Sequence, residues 1–113
     1  MKTSPTQRSL KDWRSRGWTC QVVEHFNPYV CVRQDLFGFI DILAMKEGEG
    51  IVGIQTTSDN GGNMSKHLIK INSLNTPKIF LGSGGKIVIE AWGKKGARGK
   101  RKLWTVRRLD YQG

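Results

Sequence analysis

Asp41 interrupts the apolar run Gly38-Phe39-Ile40-Asp41-Ile42-Leu43-Ala44-Met45, where an isolated carboxylate is expensive to bury unless something compensates it. A second apolar run, Ile51-Val52-Gly53-Ile54, follows the short polar stretch Lys46-Glu47-Gly48-Glu49-Gly50. Apolar runs of this length fit strands covered on both faces, and the intervening turn makes them an antiparallel hairpin. With that turn centred between Glu47 and Gly48, residues whose numbers sum to about 95 or 96 pair, which sets Gln55 or Ile54 opposite Asp41. Alternation along the strand turns Thr57 to the face of Gln55 and Thr56 to the other. Asp41, Gln55 and Thr57 are therefore predicted to form one polar patch in an apolar hairpin. Oxygen ligands on rigid adjacent strands suit a hard cation such as Mg²⁺. An Asp that hydrogen-bonds the backbone or pairs with Arg33 fits the same pattern equally well.

The elements that must position this patch are legible around it. Ser4-Pro5-Thr6-Gln7 reads as a helix start, with Ser as N-cap and Pro at the first turn. Leu10 and Trp13 recur at helical spacing, and Gly17 ends the helix. Trp18 to Phe26 reads as a first strand, broken by Asn27-Pro28. After the loop Ser58–Asn63, Met64, Leu68 and Ile71 make one stripe of a second helix over Met64–Asn72, with Lys66, His67 and Lys70 nearby. Beyond Pro77 the pattern predicts a short strand Ile79–Leu81, a turn Gly82-Ser83-Gly84-Gly85, a longer strand Lys86–Trp92 and a last strand Leu103–Leu109. The predicted architecture is an α/β domain with a mixed central sheet flanked by helices, in the order α-β-β-β-α-β with a C-terminal β-ribbon.

At 113 residues the chain is one domain, 1–113, and its 37% hydrophobic content supports a core. A net charge of +10 favours a polyanionic partner, nucleic acid first. No run approaches the length of a membrane span and no signal peptide is recognisable, so a soluble, cytoplasmic protein with no membrane partner is expected. Cys20 and Cys31 are spaced for neither a disulfide framework nor a zinc site and are expected to be buried thiols. Nucleophile-elbow, Walker-type and Cys/His signatures are lacking, which argues against serine-hydrolase, NTPase and cysteine-protease chemistry.

Asp41, followed across a hairpin by Gln55-Thr56-Thr57, resembles the PD-(D/E)XK nuclease signature, in which an Asp on one strand is followed on the next by Glu-x-Lys. Asp35-Leu36-Phe37-Gly38-Phe39-Ile40-Asp41-Ile42-Leu43-Ala44 and Gly53-Ile54-Gln55 are similar to small phage-type VRR nucleases and Holliday-junction resolvases. The resemblance covers roughly Leu10 to Trp92 in element order and implies a restriction-endonuclease-like core. It implies metal-assisted phosphodiester hydrolysis, with Mg²⁺ or Mn²⁺ held by Asp41, Gln55 and the carbonyl of Thr56, and a lysine at the position of Thr57. This sequence departs from the pattern: Gln55 stands for the acid, Thr57 for the lysine and Ile40 for the proline. Lys70 or Lys66, on the following helix, could restore the cation, and Glu24 or Asp35 the negative charge.

The stretch 94–102 carries Lys94, Lys95, Arg98, Lys100, Arg101 and Lys102 with no acid, a basic loop suited to phosphate contacts. Arg33, Lys66 and Lys70 are further candidates for nucleic-acid contact. Trp92 and Trp104 flank the loop, placed either to stack on an unpaired base or to pack under the sheet. The expected activity is a metal-dependent DNA endonuclease selective for branched DNA such as a Holliday junction, acting as a homodimer because a junction needs two symmetric cuts. The alternatives are a catalytically silent nucleic-acid-binding protein on a nuclease scaffold and, third, a basic RNA-binding protein.

Overall fold

The computed structural model describes residues 3–96, 99 and 101–113. Ser4 opens helix α1 (Pro5–Ser15), its hydroxyl accepting the Gln7 N–H at 3.2 Å, and Gly17 leaves the helix with φ of 91°. Four strands follow: β1 (Thr19–Val22), β2 (His25–Asn27), β3 (Val32–Gln34) and β4 (Ile42–Lys46). Then come β5 (Gly50–Ser58), helices α2 (Asn63–Asn72) and α3 (Thr76–Gly82), and strands β6 (Lys86–Lys95) and β7 (Leu103–Tyr111). A mixed five-stranded sheet runs in the order β1-β4-β5-β6-β7, with β5 and β6 parallel and the other pairs antiparallel. The α2–α3 segment is the crossover that a parallel pair requires.

The two faces of the sheet bury separate clusters. Leu10 and Trp13 of α1 pack on Cys20, Ile42, Ala44, Val52, Ile54 and Val88. On the opposite face Met64 and Ile71 of α2 pack on Phe39, Ile40, Ile87, Ile89 and Ala91. The central strands are thus covered on both sides, which explains their near-continuous apolar sequence. The cover stops short of the hairpin end, where Met45 and Ile51 are exposed. Close packing reaches its limit at buried Gly53, where a Cβ would stand 2.9 Å from Ile40 Cδ1 and 3.4 Å from Phe80 Cε1. Gly53→Ala is expected to lower stability by about 1–3 kcal/mol through this overpacking, seen as a lower denaturation midpoint at unchanged slope.

Several expected boundaries are corrected. The strand read as Trp18–Phe26 is two strands. The Val23 N–H still reaches the Asp41 carbonyl at 2.8 Å. From Glu24 the chain leaves the sheet, and β2 pairs with β3 in a separate two-stranded arm. Asn27 and Pro28 do mark its turn, with Asn27 Oδ1 accepting the Tyr29 N–H at 3.0 Å. The run read as Gly38–Met45 becomes a strand only at Ile42. Phe37 and Gly38 take positive φ of 56° and 84°, and Leu36 bridges Ile40, so the chain folds back on itself there. Ile79–Leu81 is helical in α3, because Pro77 in the first turn presets helical φ while Phe80 and Leu81 pack against the α2-side core. Residues 82–85 therefore link helix to strand, and the ribbon is β6 with β7. Cys20 is buried as expected, but Cys31 is exposed at the tip of the arm. No helix among the described residues is long and apolar enough to cross a membrane.

Candidate metal centre

Asp41 sits where β4 diverges from β5. The hairpin pairs Ile42 with Ile54 and Lys46 with Gly50, the second of the two anticipated registers. Its next step sets Asp41 opposite Gln55, and the Asp41 N–H bonds the Ile54 carbonyl at 2.9 Å. The side chain does not join Thr57. Asp41 Oδ2 accepts the Thr56 N–H at 2.8 Å and the Thr56 hydroxyl at 3.2 Å, taking the place a strand carbonyl would fill. The bend at residues 36–40 is the reason, because alternation predicts side-chain direction only where the strand continues. Thr56 Oγ1 also bonds Thr6 Oγ1 at 2.8 Å, which fastens α1 to the same point.

Three carboxylates meet there. Glu24, at the end of the first sheet strand's path, and Asp35, just after β3, each offer an oxygen within 4.8 Å of the others and of Asp41. Both were candidates for restoring negative charge, and the arm brings them in because it is rooted on one at each foot. Asp41 is 4% exposed. Burial pushes its carboxyl up to about 8, helped by a hydrogen bond with Asp35 and the charges of Asp35 and Glu24, and opposed by the Thr56 N–H. At neutral pH the direction of this shift favours the protonated form of Asp41. Carboxylate oxygens gathered this closely could hold a metal ion, and an all-oxygen set favours a hard divalent cation over zinc or copper.

Cations flank the acids on the outside. Lys70 Nζ lies 3.2 Å from Asp35 Oδ2 and Arg33 Nη1 lies 3.3 Å from Glu24 Oε1. Of the two lysines considered on α2, both exposed, Lys70 is therefore the one that contacts the acids. Arg33, Asp35 and Lys70 line an open cleft of about 520 Å³ together with His25, Phe37 and Gly38. His67, one turn before Lys70, has a buried Nδ1 without a hydrogen-bond partner. Burial and then the Lys70 charge pull its pKa down, against Asp35, so it is neutral at pH 7. Its spacing from Lys70 on α2 was the available signal for that position.

Gln55 is 1% exposed and its Oε1 has no hydrogen-bond partner among the described residues. It does not bond Asp41, and Thr57 is only half-buried, its hydroxyl turned to the Ser58 carbonyl. The side chains that the structure gathers at Asp41 are Glu24 and Asp35, with Thr56 as the residue that bonds it. A second buried carboxylate, Glu90, differs in kind. Trp13 Nε1 donates to its Oε1 at 3.0 Å and Arg108 pairs with its Oε2, so its charge is compensated within the core. The polar interruption of an apolar strand would have flagged Glu90 as it flagged Asp41.

The basic residues divide. Lys95 is committed to Asp59 at 2.9 Å, a carboxylate that also holds Arg107 at 2.9 Å. Those cations keep the Asp59 carboxyl below its ordinary range, the Lys95 hydrogen bond contributing most. Lys94, Arg101 and Lys102 are exposed. Arg98 and Lys100 lie outside the described residues. Trp92 is anchored rather than free, donating from Nε1 to Ser9 Oγ at 2.8 Å. Comparison of the chain with protein-family models, with curated proteins and with solved structures gives no match.

Proposed function

We propose that the protein is a metal-dependent endonuclease that cuts DNA, with Mg²⁺ or Mn²⁺ held by Asp41, Glu24 and Asp35, on a restriction-endonuclease-like core. The observation that carries this reading is the convergence of three acids, of which Asp41 is buried and pushed up to about 8 and Asp35 lines an open cleft beside Lys70, in a chain with net charge +10. Perturbed titratable groups gathered at a cleft are a mark of functional sites. The element order and the hairpin position of Asp41 accord with the resemblance.

When bound, such an ion supplies Lewis acidity toward a phosphoryl oxygen and lowers the pKa of a water molecule. The chain's own residues do the rest. Asp41 is held by two hydrogen bonds from Thr56, so it presents its second oxygen without reorganising. Lys70 takes the part of the lysine that Thr57 does not provide: its ammonium neutralises Asp35 and lies on the cleft side, where a phosphate would approach. Gln55 keeps an oxygen at the motif position without adding a fourth negative charge. The branched-DNA preference and the homodimer belong to the same proposal, since the small domain leaves few elements for base readout.

The test is incubation of the purified protein with end-labelled four-way junction, linear duplex and single-stranded DNA in Mg²⁺, Mn²⁺ or EDTA. Cutting in either metal and none in EDTA is expected, fastest on the junction. Binding without cutting under every metal would support the silent binding protein instead. Within the cutting assay, Lys70→Met is expected to slow cleavage about 10- to 100-fold while changing duplex affinity less than threefold. An unchanged rate would remove Lys70 from the site.

A further inference from the structure

A second cleft, of about 580 Å³, lies between the start of α1 and the end of the β6–β7 ribbon where Lys94 pairs with Trp104. It is lined by Arg8, Ser58, Asn60, Trp92, Lys94 and Trp104, without an acidic residue. The Arg8 guanidinium lies 3.6 Å over the Trp104 ring and Lys94 Nζ 5.5 Å from the same ring. Among the described residues neither cation pairs with a carboxylate, whereas Arg16, Arg33, Lys70, Lys95, Arg107 and Arg108 all do. Arg8 Nε is buried and lacks a hydrogen-bond partner among the described residues. Trp104 remains 44% exposed although Arg8 covers part of it, so much of the indole is open to a ligand. An indole of this size left open between two uncommitted cations fits a flat aromatic group that carries negative charge.

The cleft is also close to the acids along two elements. Thr6, which bonds Thr56 beside Asp41, lies two residues before Arg8 on α1. Ser58 of the cleft lies two residues beyond Thr56 on β5, about 6.6 Å at the strand rise. Helix α1 and strand β5 thus both run from the residue that bonds Asp41 to this cleft.

We infer that this cleft holds an unpaired nucleotide of the DNA strand, its base stacked on Trp104 and its phosphate held by Arg8 and Lys94. The inference rests on the reading of DNA as the ligand and adds where a single-stranded segment is gripped. Stacking on an indole tolerates any base, so the grip follows strand structure rather than sequence.

The experiment measures binding of a fluorescein-labelled oligothymidylate and of a fully paired duplex in EDTA by anisotropy, for the wild type, Trp104→Ala, Trp104→Phe and Arg8→Gln. Trp104→Ala is expected to weaken single-strand binding about tenfold or more and duplex binding less than threefold. Trp104→Phe keeps a stacking face and should recover most of the loss, which separates stacking from misfolding. Arg8→Gln should reduce the slope of log affinity against log salt by about one. Single-strand affinity of Trp104→Ala within twofold of wild type, or equal losses on single strand and duplex, would overturn the inference; cutting by the wild type would still stand. Trp104-dependent binding by a protein that cuts under no metal would uphold the cleft and overturn the nuclease reading.

Discussion

Asp41→Asn is expected to lower DNA cleavage at least about 100-fold while leaving DNA affinity within twofold of wild type and the fold intact. Loss of even supporting groups around a metal typically costs 10- to 100-fold, and Asp41 is the buried member of the acidic set. Asparagine suits this test better than alanine. Its amide oxygen can still accept from the Thr56 N–H and hydroxyl, which Asp41 Oδ2 now satisfies. Alanine would leave a buried N–H without a partner, at about 1–3 kcal/mol, and would confuse stability with chemistry. Cleavage by Asp41→Asn at the wild-type rate would remove the three acids from the reaction. An equal loss of binding and cutting would make Asp41 a structural residue.

The second large effect is on stability against pH in the absence of divalent metal. The Asp41 carboxyl is pushed from its ordinary 3.8 up to about 8, first by burial. Between these values the folded chain keeps a proton there that the unfolded chain has lost. The native state then binds more protons, so raising pH through this window destabilises the fold, by up to about 1.4 kcal/mol per pH unit. His67 opposes this locally. Its pKa is lowered from 6.5 by burial, so the unfolded chain binds the extra proton and stability rises as pH climbs through that value. The difference between wild type and Asp41→Asn isolates the carboxyl. The variant's melting temperature should gain on the wild type's by at least about 5 °C between pH 5 and pH 8. Mg²⁺ or Mn²⁺ should restore the wild type at pH 8, and calorimetry in buffers of different ionisation enthalpy should show proton release on metal binding below that pH. Parallel pH curves for the two proteins would mean that Asp41 is ionised in the native state.

Much of this site was legible before any coordinates. An acid inside an apolar run is costly enough to demand an explanation, and the polar turn at residues 46–50 fixed the hairpin register to within one step. Helix α1 was legible because Ser4, Pro5 and Gly17 each carry a local signal. Thr56 was misplaced because the rule that turns it away from Asp41 assumes a straight strand, and the positive φ of Phe37, a residue that seldom adopts it, gives no warning of the bend. The arm was missed because its strands are too short and too exposed to show periodic burial. Helix α3 was read as a strand because Ile79-Phe80-Leu81 is ambiguous by periodicity, and the starting signal at Pro77 is what decides it. Trp92 and Trp104 carry the same composition signal, and only the packing of α1 distinguishes the anchored indole from the open one.

The arm between Glu24 and Asp35 has a consequence for variation among related sequences. Its feet carry Glu24 and Asp35, whereas its tip is exposed, with Tyr29 95% exposed. The entropy of closing a loop grows only with the logarithm of its length, about 0.6 kcal/mol for each doubling. Insertions or deletions at the tip are therefore expected to cost the acidic cluster little, and this is the segment that tolerates the widest change in length and in the surface it presents.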